Sequence, residues 1–185
     1  MRYASIRSLD ISNGEGVGVS LFVQGCDRHC FNCFNSDTWD FNGGKEWTEE
    51  TKNKFIKLIN RPYINRISVL GGEPLAEQNL DEVLSLIKEI RISFPEKTIW
   101  LYTGFEWNSL MSKICQPTFP DEKFEHDRNI HMKRQKIISN VDVLVDGEYI
   151  DEQKDLTLKW RGSKNQRVID VKQSLAQNKI ILYCD

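Results

Sequence analysis

The sequence predicts an α/β chain built on parallel strands, and three observations carry that reading. Its strand-like runs are apolar throughout rather than alternating, each is followed by a segment with helical spacing, and glycines and cysteines gather in the turns after the strands. Continuous apolar strands suit a sheet covered on both faces, and repeated strand-to-helix units make it parallel. Four or five such strands are fewer than the eight of a closed (β/α) barrel, so the expected architecture is an incomplete barrel, open on one side. The 185 residues are expected to form one domain, 1–185, burying roughly 70% of the surface that its unfolded chain would expose.

The elements follow in order. Residues 17–23 read as a strand that ends at Gln24-Gly25 and delivers the chain to Cys26. Thr48-Glu49-Glu50 starts a helix whose apolar face is Phe55, Ile56, Leu58 and Ile59, and Asn60-Arg61-Pro62 stops it. Residues 67–70 make a short buried strand that runs into Gly71-Gly72-Glu73-Pro74. Leu80, Val83, Leu84, Ile87 and Ile90 then repeat at helical spacing until Phe94-Pro95. Residues 98–102 are the next strand, Thr103-Gly104 its turn, and 107–114 a short helix. Residues 116–136, with Pro117, Pro120, His126, His131 and many charges, read as a surface insertion. Residues 141–145 form a further strand ending at Asp146-Gly147. Residues 156–185 are expected to close the fold, with runs 168–171 and 180–183 pairing as a hairpin-like cap.

Composition excludes several function classes. Twenty-five Lys and Arg stand against twenty-seven Asp and Glu, leaving no net field to attract nucleic acid or anionic lipid. No run approaches the roughly 20 apolar residues of a membrane span, and residues 1–7 lack a signal-peptide core. A cytoplasmic location is expected, and in that reducing compartment the five cysteines read as thiols or metal ligands.

Cys26, Cys30 and Cys33 lie within eight residues, while Cys115 and Cys184 stand alone. Thiolates are the soft donors that suit iron, and a [4Fe-4S] cube offers four irons to ligands. Three cysteines leave one iron open, the mark of a catalytic centre. The competing reading is a zinc knuckle closed by a distant residue or by His29, although His29 lies between the first two cysteines and is poorly placed to complete a tetrahedron. Gly71 and Gly72 let the backbone approach a ligand, and Glu73 offers a carboxylate to an ammonium group. Asp146 stands at the same strand edge as a cofactor contact or a turn cap. Ligands of parallel α/β folds gather at that edge, where the strands end. Gly14-Glu15-Gly16-Val17-Gly18 precedes a strand instead of joining strand to helix, so it does not read as a nucleotide-phosphate loop.

The Cys-x3-Cys-x2-Cys loop with Gly71-Gly72-Glu73-Pro74 behind it resembles the radical S-adenosylmethionine enzymes. The wider pattern includes Asn13-Gly14-Glu15-Gly16, Phe22-Val23-Gln24-Gly25-Cys26, Trp100-Leu101-Tyr102-Thr103-Gly104, Val143-Leu144-Val145-Asp146-Gly147 and Trp160-Arg161-Gly162-Ser163-Lys164-Asn165-Gln166. Over most of the chain it resembles the family that activates the anaerobic ribonucleoside-triphosphate reductase. The resemblance implies an incomplete barrel of the radical S-adenosylmethionine type and a [4Fe-4S] cluster held by Cys26, Cys30 and Cys33. It implies S-adenosylmethionine on the open iron, its amino group at Gly71, Gly72 and Glu73, and its adenine between the backbones of Asn32 and Phe34, beside Cys33. A low-potential donor such as flavodoxin would reduce the cluster, and the 5′-deoxyadenosyl radical would take hydrogen from a glycine of the large reductase subunit. The alternative partner is another glycyl-radical enzyme such as pyruvate formate-lyase. Arg161, Asn165 and Gln166 are the expected contacts for the partner's loop.

Overall fold

Seven strands and five helices make up the computed structural model, which describes residues 1–114 and 121–184. The strands are β1 (Arg2–Asp10), β2 (Gly18–Val23), β3 (Lys45–Glu46), β4 (Arg66–Gly71), β5 (Thr98–Tyr102), β6 (Val143–Asp146) and β7 (Arg167–Asp170). The helices are α1 (Glu49–Ile59), α2 (Leu80–Ser93), α3 (Trp107–Met111), α4 (Glu122–Ile138) and α5 (Val171–Gln177). All strands join one sheet in the order β3-β1-β2-β4-β5-β6-β7. Its centre, β2-β4-β5-β6, is parallel as the continuous apolar runs predict, and the flanking β1, β3 and β7 pair antiparallel. The sheet is mixed and does not close: among the described residues β3 and β7 are its edges.

Residue parity along these strands decides what each face meets. Val19, Leu21, Ile67, Val69, Ile99, Leu101 and Leu144 point to one face. There they pack with Phe55 and Ile59 of α1, Leu86, Ile87 and Ile90 of α2, and Ile137 and Ile138 of α4. Each such burial contributes about 1.5–3 kcal/mol before chain entropy is charged against it. The other face carries Trp100, Val143, Val145 and Val168 in a smaller cluster, flanked by Tyr102 and Trp160. Loops rather than helices cover that face, and the space between them is where the candidate site lies.

Arg66 is the exception in this apolar setting, a fully buried cation on β4. Its Nη2 reaches the Asp10 carbonyl at 2.7 Å and the Asp10 carboxylate at 3.2 Å, and its Nη1 reaches Asn13 O and Ser68 Oγ. Asp10 in turn accepts from the N–H groups of Ser12 and Asn13, each at 2.9 Å. The loop after β1 is thereby fastened over the inner face. Gly14, at φ +129°, lets it lie there, because a Cβ would come within 2.6 Å of the Arg66 side chain and 2.8 Å of Trp100.

Three expectations need correction. Residues 122–138 are a helix, not an irregular insertion, while Cys115 and residues 116–120 lie outside the described residues. Asp121 caps α4 by accepting from Phe124 N at 2.7 Å. The helix is joined to α2 and the turn before it by Lys133–Asp81 at 2.7 Å, His126–Glu77 at 3.0 Å and Arg134 Nε to Leu75 O at 2.9 Å. The closing segment is not a hairpin: α5 separates β7 from residues 180–183, which meet β7 through the bridge Ile169–Leu182 and two flanking backbone bonds. The helix expected over 107–114 ends at Met111. Among the described residues no helix is long and apolar enough to cross a membrane.

Candidate functional site

The ends of all four parallel strands open onto one cavity of about 570 Å³, within the roughly 300–1,000 Å³ range of small-molecule sites. Cys26, Cys30 and Cys33 line it together with Gly71, Gly72 and Glu73. Thr103 and Gly104 follow β5, residues 147–149 follow β6, and Trp160 and Arg161 come from the loop before β7. The strand-end placement inferred from sequence therefore holds for the loops after β2, β4, β5 and β6.

The cysteine loop is pinned where it starts, with Gly25 N donating to Thr38 O at 2.8 Å and Cys26 N to Trp39 O at 3.0 Å. A tight turn, Cys33 N to Cys30 O at 3.1 Å, brings the last two cysteines round. Burial pushes the Cys26 thiol up to about 11, against the N–H groups of Arg28 and His29, which favour its thiolate. Burial also raises Cys30, opposed by the N–H of Tyr149. Such thiols ionise on ligating a metal, so loading the site releases protons. Among the described residues no three Cys, His, Asp or Glu side chains gather closely enough for a single metal ion. The His29 ring instead packs on Trp39, centroids 4.7 Å apart. Three half-buried thiols lining a roomy cavity fit a multi-iron cluster with three protein ligands better than one zinc ion.

The glycine turn shares a backbone seam with that loop. Gly72 N donates to Val23 O at 2.9 Å and Glu73 N to Gly25 O at 2.7 Å. A Cβ on Gly72 would lie 2.4 Å from Gly25 O, so only glycine allows this approach. Glu73 is buried and its carboxylate is already engaged, accepting from Leu75 N, Thr103 Oγ1 and Gly104 N, each at 2.8 Å. Burial raises its carboxyl above the ordinary range while those three donors pull the other way. Asn79 Nδ2 bridges the Gln24 and Glu73 carbonyls at 3.0 Å each. Glu73 thus ties the β4 turn to the β5 turn. Its Oε1 takes two of those donors, Leu75 N and Thr103 Oγ1, and its Oε2 the third.

Other expected site residues divide. Phe34 and Cys33 line the cavity; Asn32 and Asp146 do not. Asn32, at φ +54°, turns its amide outward to Asp151 Oδ2 at 2.9 Å. Asp146 accepts from Trp107 N at 2.7 Å and from Arg167 at 3.0 and 2.5 Å, so its carboxylate anchors the strand end instead of facing a cofactor. Arg161 and Gln166 line the cavity, but Gln166 accepts from Gly162 N at 2.9 Å and Ser163 N at 3.2 Å and donates to Gly147 O at 2.9 Å. Asn165 donates to Glu148 O at 2.8 Å. These two amides brace the loop against its neighbour. Sequence reasoning missed Arg28 and Tyr149, whose contacts with Glu148 and Phe34 include partners from distant loops; it placed Thr103-Gly104 at the strand-end edge without the Thr103 bond to Glu73.

An open α/β sheet with a thiol trio at its strand ends describes a carrier of a single iron-sulfur cluster. Residues 12–169 match the family model described as a 4Fe-4S single cluster domain, which supports such a cluster here. The chain is 36% identical over 170 residues to the anaerobic ribonucleoside-triphosphate reductase-activating protein of Salmonella typhi, covering 91% of this chain and 97% of that protein. The protein of that name from Escherichia coli (strain K12) is 35% identical over the same shares, and that of Enterobacteria phage T4 is 35% identical over 91% of this chain and 93% of its own. The chain belongs to the family of anaerobic ribonucleoside-triphosphate reductase-activating proteins.

Proposed function

We propose that this chain is a radical S-adenosylmethionine activase that generates a glycyl radical on the large subunit of the anaerobic ribonucleoside-triphosphate reductase. When bound, a [4Fe-4S] cluster and S-adenosylmethionine supply one-electron cleavage of a carbon–sulfur bond and, from it, hydrogen abstraction. Cys26, Cys30 and Cys33 hold the cluster, leaving one iron for the cofactor. The Gly71 and Gly72 carbonyls accept from the cofactor's ammonium group, on a turn held by the Gly72 and Glu73 N–H groups donating to Val23 and Gly25. Glu73 fixes that turn to Thr103 and Gly104 and adds negative charge beside the ammonium. The backbones of Asn32 and Phe34 flank the adenine beside Cys33, and Asp146 keeps the β6 end in place through Arg167.

The open side of what we read as an incomplete barrel admits the partner's loop, where a glycine, lacking a side chain, can thread a narrow path. Phe34, Tyr149 and Trp160 line the cavity and would limit water there. Reduction of a sulfonium demands a potential near the low end of the protein iron-sulfur range, about −700 mV, so a low-potential cytoplasmic donor such as flavodoxin is the electron source.

One observation carries this reading: three thiols and a glycine turn suited to an ammonium group share one cavity. Anaerobic reconstitution with iron and sulfide should give a brown protein that releases 5′-deoxyadenosine on reduction. Mixing it with the reductase should give a glycyl doublet in electron paramagnetic resonance. A colourless zinc protein that leaves S-adenosylmethionine intact refutes the reading, and a doublet on pyruvate formate-lyase alone reassigns the partner.

A further inference from the structure

The cysteine loop contains two residues held in the left-handed region, His29 at φ +49° and Asn32 at φ +54°, and no regular structure between Cys26 and Cys33. A loop in that state is held by contacts made from outside it. One segment, the stretch after β6, makes several of them. Glu148 Oε1 meets Arg28 Nη1 at 2.5 Å, and Arg28 is steadied by the Phe105 ring, 3.9 Å from its guanidinium carbon. Asp151 Oδ2 accepts from Asn32 Nδ2 at 2.9 Å while its Oδ1 accepts from the Tyr149 hydroxyl at 2.5 Å. The Tyr149 ring lies against Phe34, centroids 5.1 Å apart. Residues 28, 32 and 34 of the loop are thus each met by residues 148–151.

We propose that residues 148–151 form a clasp in which Glu148 and Asp151 are positioning residues. Acting through Arg28 and Asn32, they hold the cysteine loop in register, so that the clasp governs how firmly a cluster is retained. This rests on the reading that the loop's cysteines ligate a cluster.

The test uses the full chain and the double variant Glu148→Gln, Asp151→Asn, both on the surface side of the loop. Amide exchange of the iron-free protein reads the clasp without any cluster: residues 26–35 should exchange several-fold faster in the variant, with the α1 and α2 amides unchanged. In reconstituted protein the variant should lose iron to a chelator several-fold faster. Unchanged exchange in 26–35 overturns the proposal. Faster exchange with an unchanged rate of iron loss overturns it too, since a contact that merely tethers the loop gives that pattern. If the unaltered chain takes up no cluster, the functional reading fails while the exchange arm still decides whether the clasp exists.

Discussion

Replacing Asp10 by asparagine tests how the wall of the cavity formed by Ser12 and Asn13 is held. The substitution keeps the side chain's size and removes its charge, leaving the fully buried Arg66 guanidinium without its counter-ion 3.2 Å away. Removing one partner of a buried pair costs about 3–5 kcal/mol, a large share of a domain stability of about 5–15 kcal/mol. The titration of Asp10 gives a second route to the magnitude. Burial opposes its ionisation, but donors from Asn13, Ser12 and Arg66 outweigh that and hold the carboxyl down to about 2 from an ordinary 3.8. That depression converts to about 2–3 kcal/mol, smaller than the cost of the substitution because protonating Asp10 preserves more of its contacts. The sign follows from the direction: the folded carboxyl is the stronger acid, so its stabilisation is complete above about pH 3.8 and lost as pH falls through about 2. Urea unfolding at pH 7 should show the Asp10→Asn protein at least about 3 kcal/mol weaker, with the gap narrowing between pH 4 and 2. A gap under about 1 kcal/mol at pH 7, or one that does not narrow in acid, would refute the reasoning.

Further substitutions probe the two turns. Gly72→Ala places a Cβ 2.4 Å from Gly25 O, and since both neighbours are backbone the seam must part; a loss of about 1–3 kcal/mol and weakened S-adenosylmethionine binding are expected, and calorimetry showing neither would disprove the close-approach argument. Glu73→Gln turns an amide NH2 toward the donors Thr103, Gly104 or Leu75, costing about 1–3 kcal/mol; an unaltered thermal midpoint would mean the carboxylate is not the tie we describe. Gln166→Ala removes two acceptances and one donation that bind residues 162–163 to Gly147. Trypsin should then cut after Arg161 or Lys164 faster than in the parent chain, and identical digestion would show the brace to be idle.

What the sequence revealed and what it hid divide along physical lines. β2, β4, β5, α1 and α2 are apolar where they meet the core, and that periodicity survives in a one-dimensional reading. α4 buries only Ile137 and Ile138 along its length and is fastened by ion pairs to Asp81 and Glu77, so no apolar stripe announces it. β1 is a flanking strand with much of its surface exposed, and it goes unread for the same reason. At the site, the thiols and glycines are legible because their chemistry is intrinsic to residue type and spacing. Partnerships such as Glu73 with Thr103, or Asp146 with Arg167, are made by topology between residues 30 and 21 positions apart. Asp146 shows the cost: a carboxylate at a strand end looks available until the fold reveals which cation claims it.

The two sides of the cavity are held by interactions of different strength, and that difference bears on how a partner reaches it. The glycine turn is joined to the base of the cysteine loop by buried backbone bonds and to the β5 turn by a carboxylate with three donors, groups that cost about 1–3 kcal/mol each to leave unpaired. The rest of the loop is held by Arg28–Glu148, in which Glu148 is half exposed, and by the exposed Asn32–Asp151 bond, and exposed pairs contribute about 0–1 kcal/mol. Local opening follows the cheapest contacts, so the loop's mouth-side end should open while its base, Cys26 and the Gly71–Gly72 carbonyls remain fixed. A partner's glycine loop entering from that side would need to displace only the weak half. The groups proposed to hold the cofactor's ammonium and the first cluster ligand would keep their geometry throughout.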